Sequence, residues 1–146
     1  PAWPGIGQYT LLANPSHMMT LMGAIANGGT YTEPQISSGL HIPNPLTVGG
    51  RKYMDSSQAN NLKNMMQTNV KSYYGDFFPQ DMQVCAKSGT GEVGEDKNPN
   101  CWMVGFCANT QYPYAFAVVI EEGLSGAATA GPVINSILTT LYNSGD

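Results

Sequence analysis

The sequence predicts an α+β fold, and three observations predict it. Apolar residues recur at helical spacing in two stretches of the first half, three strand-like runs with turn-rich links follow, and a final helical stripe closes the chain. Short links make the runs antiparallel neighbours, so the expected architecture is a three-stranded antiparallel sheet with flanking helices. At 146 residues the chain suffices for one hydrophobic core, and 1–146 is read as one unit.

The first helix begins at Asn14, a cap residue, with Pro15 in its first turn. Met18, Leu21, Met22 and Ile25 form its stripe, and Gly28-Gly29 stops it. Tyr31 to Ile36 reads as a short extended stretch, followed by a Pro/Gly-rich irregular passage through Gly50. Asp55 is the expected N-cap of a second helix, whose apolar stripe is Leu62, Met65, Met66 and Val70. Tyr73 to Asp81 reads as a loop over the core. The strands are expected at Met82 to Ser88, Cys101 to Ala108 and Tyr114 to Glu121. Gly131-Pro132 opens the last helix, with Ile134, Ile137, Leu138 and Leu141 on one stripe and Ser144-Gly145 at its end.

Composition narrows the function. Apolar residues are 42% and charged residues 11% of the chain, which argues against disorder. The net charge of −4 comes with no basic run longer than Arg51-Lys52, so neither nucleic acid nor an anionic membrane is an expected partner. The apolar run from Tyr114 to Ile120 falls far short of the roughly 20 residues that cross a bilayer, and Pro1-Ala2-Trp3-Pro4 lacks a signal peptide's basic start; this piece is expected to be soluble. Cys85, Cys101 and Cys107 have no C-x-x-C spacing and lie far from His17 and His41, so no metal is expected. Cys101 and Cys107 would share a strand face too far apart to bridge, and all three cysteines read as small buried thiols.

The stretch most able to carry chemistry is Ala86 to Glu92, at the end of a predicted strand. Lys87, Ser88, Gly89 and Thr90 supply an ammonium, two hydroxyls and a glycine that allows close backbone approach. Such a strand edge suits an anionic carboxylate and can lend an N–H to a developing oxyanion. Strand parity puts Lys87 and Gly89 on one face and Ser88 on the other. Alone, the tetrapeptide is also ordinary turn chemistry. Trp102 is open to both packing and ligand contact, whereas Phe106 reads as packing. His17 reads as a surface or capping residue, and Met18, Met19 and Met22 as adaptable core filler. Glu92, Glu95 and Asp96 read as a solvated hairpin tip, and Glu121-Glu122 as an exposed strand end.

Several motifs taken together resemble the transpeptidase domain of penicillin-binding proteins. Gly7-Gln8, then Asn14-Pro15-Ser16-His17-Met18-Met19, then Ala24 to Thr30 are similar to the segment that precedes the family's K-[ST]-G strand. Tyr9 and Asn14 depart from that pattern, where glycine and threonine are usual. Trp102-Met103-Val104-Gly105-Phe106 resembles the next strand, Tyr114 to Glu121 the one after it, and Ala130-Gly131-Pro132-Val133 the start of the terminal helix. No serine begins S-x-x-K or S-x-N, the motifs that carry the family's nucleophile and a second proton-shuttling element.

The resemblance implies the C-terminal half of a β-lactamase/transpeptidase-like domain, an incomplete domain inactive alone. It implies a parent D,D-transpeptidase on the outer face of the bacterial cell membrane, which crosslinks peptidoglycan stem peptides through a serine acyl-enzyme, is acylated by β-lactams and needs no cofactor. Lys87 and Thr90 would be catalytic, and Ser88, Gly89, Thr90 and Trp102 would bind substrate. A serine β-lactamase or β-lactam sensor shares the K-[ST]-G strand, and a non-catalytic scaffold of the same fold remains a third reading. In the family, the strand equivalent to 114–121 pairs with N-terminal strands absent here, so self-association through that edge is expected.

Overall fold

The computed structural model describes residues 12–32, 34, 50–94 and 96–145. The Gly7-Gln8 segment, His41, Glu95 and most of the Pro/Gly-rich passage before Gly50 lie outside them. Helix α1 spans Pro15–Ala26. The Asn14 side chain caps it by accepting the Ser16 N–H at 2.8 Å, and Pro15 sits where a missing N–H costs nothing. The chain leaves α1 through Gly28 and Gly29, both at positive φ; a Cβ on Gly29 would stand 2.1 Å from the Met54 carbonyl oxygen. It then enters strand β1, Thr30–Tyr31, which pairs antiparallel with β2, Arg51–Lys52.

Helix α2 runs Ser56–Tyr73, and its start is tied by the Asp55 N–H donating to Gln58 Oε1 at 2.9 Å. Its covered face keeps Met66 and Val70 of the expected stripe but not Leu62 and Met65. Ala59 and Val70 are buried with Met66 and Lys63 half-buried, whereas Leu62 and Met65 are 37% and 67% exposed. The covered line follows i, i+4, i+7 and i+11 from Ala59. A small residue lets the helix approach its neighbours closely there, and Leu62 and Met65 fall on its other side. Tyr73 still belongs to the helix, and the following stretch is two 3₁₀ turns, Gly75–Phe77 and Gln80–Met82, with Phe78 buried between them.

Strands β3 (Val84–Gly91), β4 (Asn100–Cys107) and β5 (Ala115–Ile120) form an antiparallel sheet in the order β3-β4-β5. The expected strands are present with shifted ends: Met82 belongs to a turn, and β3 continues to Gly91. Side chains alternate across the sheet. One face carries Val84, Ala86, Cys101, Met103 and Phe116 against Ile134 and Leu138 of helix α3, Gly131–Ser144. The other carries Cys85, Val104 and Phe106 against Met22 and Ile25 of α1. The sheet is thus sandwiched between helices, and fully burying a Phe106 or Leu138 side chain stabilises by about 1.5–3 kcal/mol.

Helix α3 follows a π-helical turn, Gly126–Ala130, and ends at Gly145 in the left-handed conformation (φ 73°). Ile134 and Leu138 are buried as the stripe requires, but Ile137 is 47% exposed, because the covered line runs through Gly131, Ile134 and Leu138 and leaves Ile137 to one side of it. All three cysteines are buried free thiols. Cys101 and Cys107 share one strand and one cluster, whereas Cys85 lies on the opposite face.

Candidate active site

Residues 87–90 occupy the exposed half of β3, paired with Val104, Met103, Trp102 and Cys101 of β4. Their cross-strand partners fix their faces. Lys87 and Gly89 stand on the α1 side with Val104 and Trp102; Ser88 and Thr90 stand on the α3 side with Met103 and Cys101. Lys87 and Thr90 are exposed, while Ser88, Gly89 and Trp102 are half-buried. Trp102 packs against the α1-side cluster, and a Cβ on Gly89 would lie 3.5 Å from its Cβ.

The free edge of β3 has identifiable partners. Asn69 Nδ2 donates to the Ala86 carbonyl at 2.9 Å, and the Ser88 N–H donates to the Tyr74 hydroxyl at 3.3 Å. Both groups therefore point away from β4, and the two-residue alternation of an antiparallel ladder puts the Thr90 N–H on the same edge. Lys87 Nζ bends along that edge to donate to the Ser88 carbonyl at 2.6 Å. Tyr74 donates its O–H to Ser88 Oγ at 2.8 Å, and the Gly126 N–H donates to Thr90 Oγ1 at 3.1 Å. The Lys87 ammonium, the Ser88 hydroxyl and the Thr90 N–H thus lie along the free edge, while the Thr90 hydroxyl is held by Gly126 on the α3 face of the strand.

The other candidates stay apart. His17 is exposed on the first turn of α1, its carbonyl accepting from Thr20 Oγ1 at 2.8 Å. Glu92, Asp96, Glu121 and Glu122 are exposed, and Phe106 is fully buried. The thiols offer no nucleophile: burial pushes Cys85 up to about 11 and Cys107 up to about 12, and Cys101 is fully buried. Among the described residues no group of three or more His, Cys, Asp or Glu side chains is placed to hold a metal ion.

Two hollows lie elsewhere. One of about 390 Å³ is lined by Gln67, Val70, Lys71, Phe78 and Gln80, and one of about 550 Å³ by Met19, Gly23, Asn27, Lys63, Phe106 and Ala115. Neither is lined by residues 87–90.

The family model described as penicillin binding protein transpeptidase domain matches residues 2–139. The chain belongs to the penicillin-binding-protein transpeptidase family. The fold agrees: penicillin-binding protein A of Mycobacterium tuberculosis superposes with a TM-score of 0.77 over 96% of this chain and 35% of that one, at 24% identity. An imipenem acyl-enzyme complex of the M. tuberculosis protein gives a TM-score of 0.77, 24% identity and coverage of 95% and 33%. PBP2 of Helicobacter pylori gives 0.74 at 20% identity, covering 97% of this chain and 26% of that one. The chain thus spans about a quarter to a third of the length of these structures. Comparison with curated proteins returned no match.

The sequence pointed to Lys87–Thr90 as the candidate stretch but not to three residues bonded to its strand: Asn69, Tyr74 and Gly126. Asn69 and Tyr74 lie on or beside a polar helix and carry no motif. Gly126 had one usable signal, a glycine just before a helix in a chain whose preceding strand pairs beside the ledge.

Proposed function

We propose that this chain supplies the substrate-carboxylate and oxyanion wall of a peptidoglycan D,D-transpeptidase whose serine nucleophile lies outside these 146 residues. The observation that carries the reading is the exposed end of β3, where Lys87, the Ser88 hydroxyl and the Thr90 N–H lie at the free edge with the Thr90 hydroxyl on the adjoining face. In the proposed reaction the serine oxygen attacks the penultimate D-alanine carbonyl and its proton passes to the site's base. The terminal D-alanine departs as an amine after gaining a proton. An acceptor amine then attacks the ester, loses its proton and releases the serine.

Lys87 supports the proton network and the field around the substrate, and the Thr90 N–H is one of the oxyanion donors. Ser88 and Thr90 hold the terminal carboxylate, with Gly89 admitting the substrate backbone and Trp102 flanking it. β-Lactams would acylate the same serine. The parent protein would work at the extracytoplasmic face of the membrane; among the described residues no helix is long and apolar enough to cross one.

Alone, the chain is expected to be inactive. Loss of an oxyanion donor costs roughly 10² to 10³ in rate. Loss of the nucleophile of a serine hydrolase costs about 10⁶, which an intact ledge cannot offset. A fluorescent penicillin should therefore leave this chain unlabelled and acylate a polypeptide extended N-terminally through an S-x-x-K motif. Labelling of the short chain at a single residue, or no labelling of the extended one, would overturn the reading.

Self-association is proposed at β5, an edge strand among the described residues, whose Phe116, Val118 and Ile120 lie on one face. Sedimentation of the chain at high concentration should show dimers or larger species, and a clean monomer would refute this.

A further inference from the structure

Each ledge hydroxyl receives a hydrogen bond from an element outside the sheet. Tyr74 closes α2, where its N–H donates to the Val70 carbonyl at 2.9 Å and its ring meets buried Phe78 edge-on at 6.2 Å. This places its O–H against Ser88 Oγ, while the same oxygen accepts the Ser88 N–H. Gly126 begins the π-helical turn laid across β3 and β4. A Cβ there would stand 2.2 Å from the Gly89 carbonyl oxygen and 2.8 Å from that of Trp102, so the backbone reaches Thr90 Oγ1 only because the residue is glycine. The turn is itself braced, since Thr129 Oγ1 accepts the Leu124 and Ser125 N–H groups and Ser125 Oγ accepts that of Ala128.

A hydroxyl carries one proton and two lone pairs. Where a fixed protein donor fills a lone pair, the hydroxyl's own proton is strengthened as a donor and is left for another partner. Ser88 and Thr90 share a strand face, so each offers one such proton from the same side of β3. Paired donors favour a group that only accepts, a carboxylate, over a neutral ester.

We infer that Tyr74 and Gly126 are positioning residues that hold the Ser88 and Thr90 hydroxyls as donors and thereby set the site's preference for substrates with a free carboxylate. The inference rests on the transpeptidase reading above and adds to it the residues that impose the selectivity.

The test measures acylation of the full-length polypeptide carrying the serine by benzylpenicillin and by its methyl ester. The wild type should prefer the free acid. Tyr74→Phe should lower the rate with the acid about tenfold, as expected for loss of a hydrogen bond serving a charged group, and leave the ester rate within about twofold. Gly126→Ala should erode the same preference, and in a Ser88→Ala background Tyr74→Phe should change the acid-to-ester ratio no further. Tyr142→Phe, which removes a hydroxyl bonded to Asp81 instead, should leave both rates unchanged. An unchanged ratio in Tyr74→Phe, or an equal fall with both compounds, would overturn the inference. A wild type acylated by neither compound would overturn the transpeptidase reading and the inference with it.

Discussion

Strand β3 is two regions on one backbone. Val84, Cys85 and Ala86 are at most 4% exposed, pressed between the clusters of α1 and α3, whereas Lys87 to Gly91 emerge from that cover with polar side chains and a free edge. The same pairing with β4 runs through both halves. The difference teaches how the candidate site is made rigid without being buried: the core half fixes the strand's position and twist, and the exposed half inherits that geometry while leaving its donors available.

The sharpest test of this division is Phe106→Ala, which opens a cavity beside Cys85. It should cost about 3–5 kcal/mol in chemical denaturation, while Lys87→Ala on the same sheet should stay within about 0.5 kcal/mol. Comparable losses would mean the two halves are not distinct. Next, Lys87→Ala in the full-length protein should lower acylation by a penicillin by about a hundredfold or more with the melting temperature unchanged, since the ammonium acts on developing charge and not on packing. A rate within threefold of wild type would remove Lys87 from the site.

The buried thiols give a smaller effect with a definite sign. Cys85 and Cys107 are pushed up to about 11 and about 12 by burial, above the usual thiol value near 8.5. Below about pH 8.5 both states keep the protons and stability is whole; above it the unfolded chain ionises first and binds fewer protons, so stability falls until the folded thiols also ionise. Urea midpoints taken from pH 8 to 11 should decline, and iodoacetamide at pH 8 should modify these thiols only after denaturation. Rapid alkylation of the native protein would show the core half to be open. The smallest effect is expected on α2, where Met65→Ala should be near neutral and Val70→Ala clearly destabilising. The reverse order would contradict the covered line through Ala59 and Val70.

Much of this was legible in the chain itself. Asn14-Pro15 and Gly28-Gly29 punctuate α1 through local backbone preferences, and the β-rich runs are apolar on both parities because a sheet covered on both faces needs apolar residues on both. Lys87 to Thr90 stood out because their chemistry lies in side-chain type and spacing within four residues. What local pattern could not supply was the side of each helix that meets the sheet: Ala59 and not Met65, and Ile134 with Leu138 and not Ile137. Burial depends on which neighbour arrives, and a neighbour distant in sequence leaves no periodic mark.

The sequence alone determined the elements, the antiparallel order and the polar tetrapeptide, since these follow from backbone preferences and periodicity over a few residues. Only the tertiary structure decided that Tyr74 and Gly126, from a helix end and a turn far apart in the chain, converge on Ser88 and Thr90. A hydrogen bond across 14 or 36 residues is set by how the layers pack, and packing is a property of the whole chain.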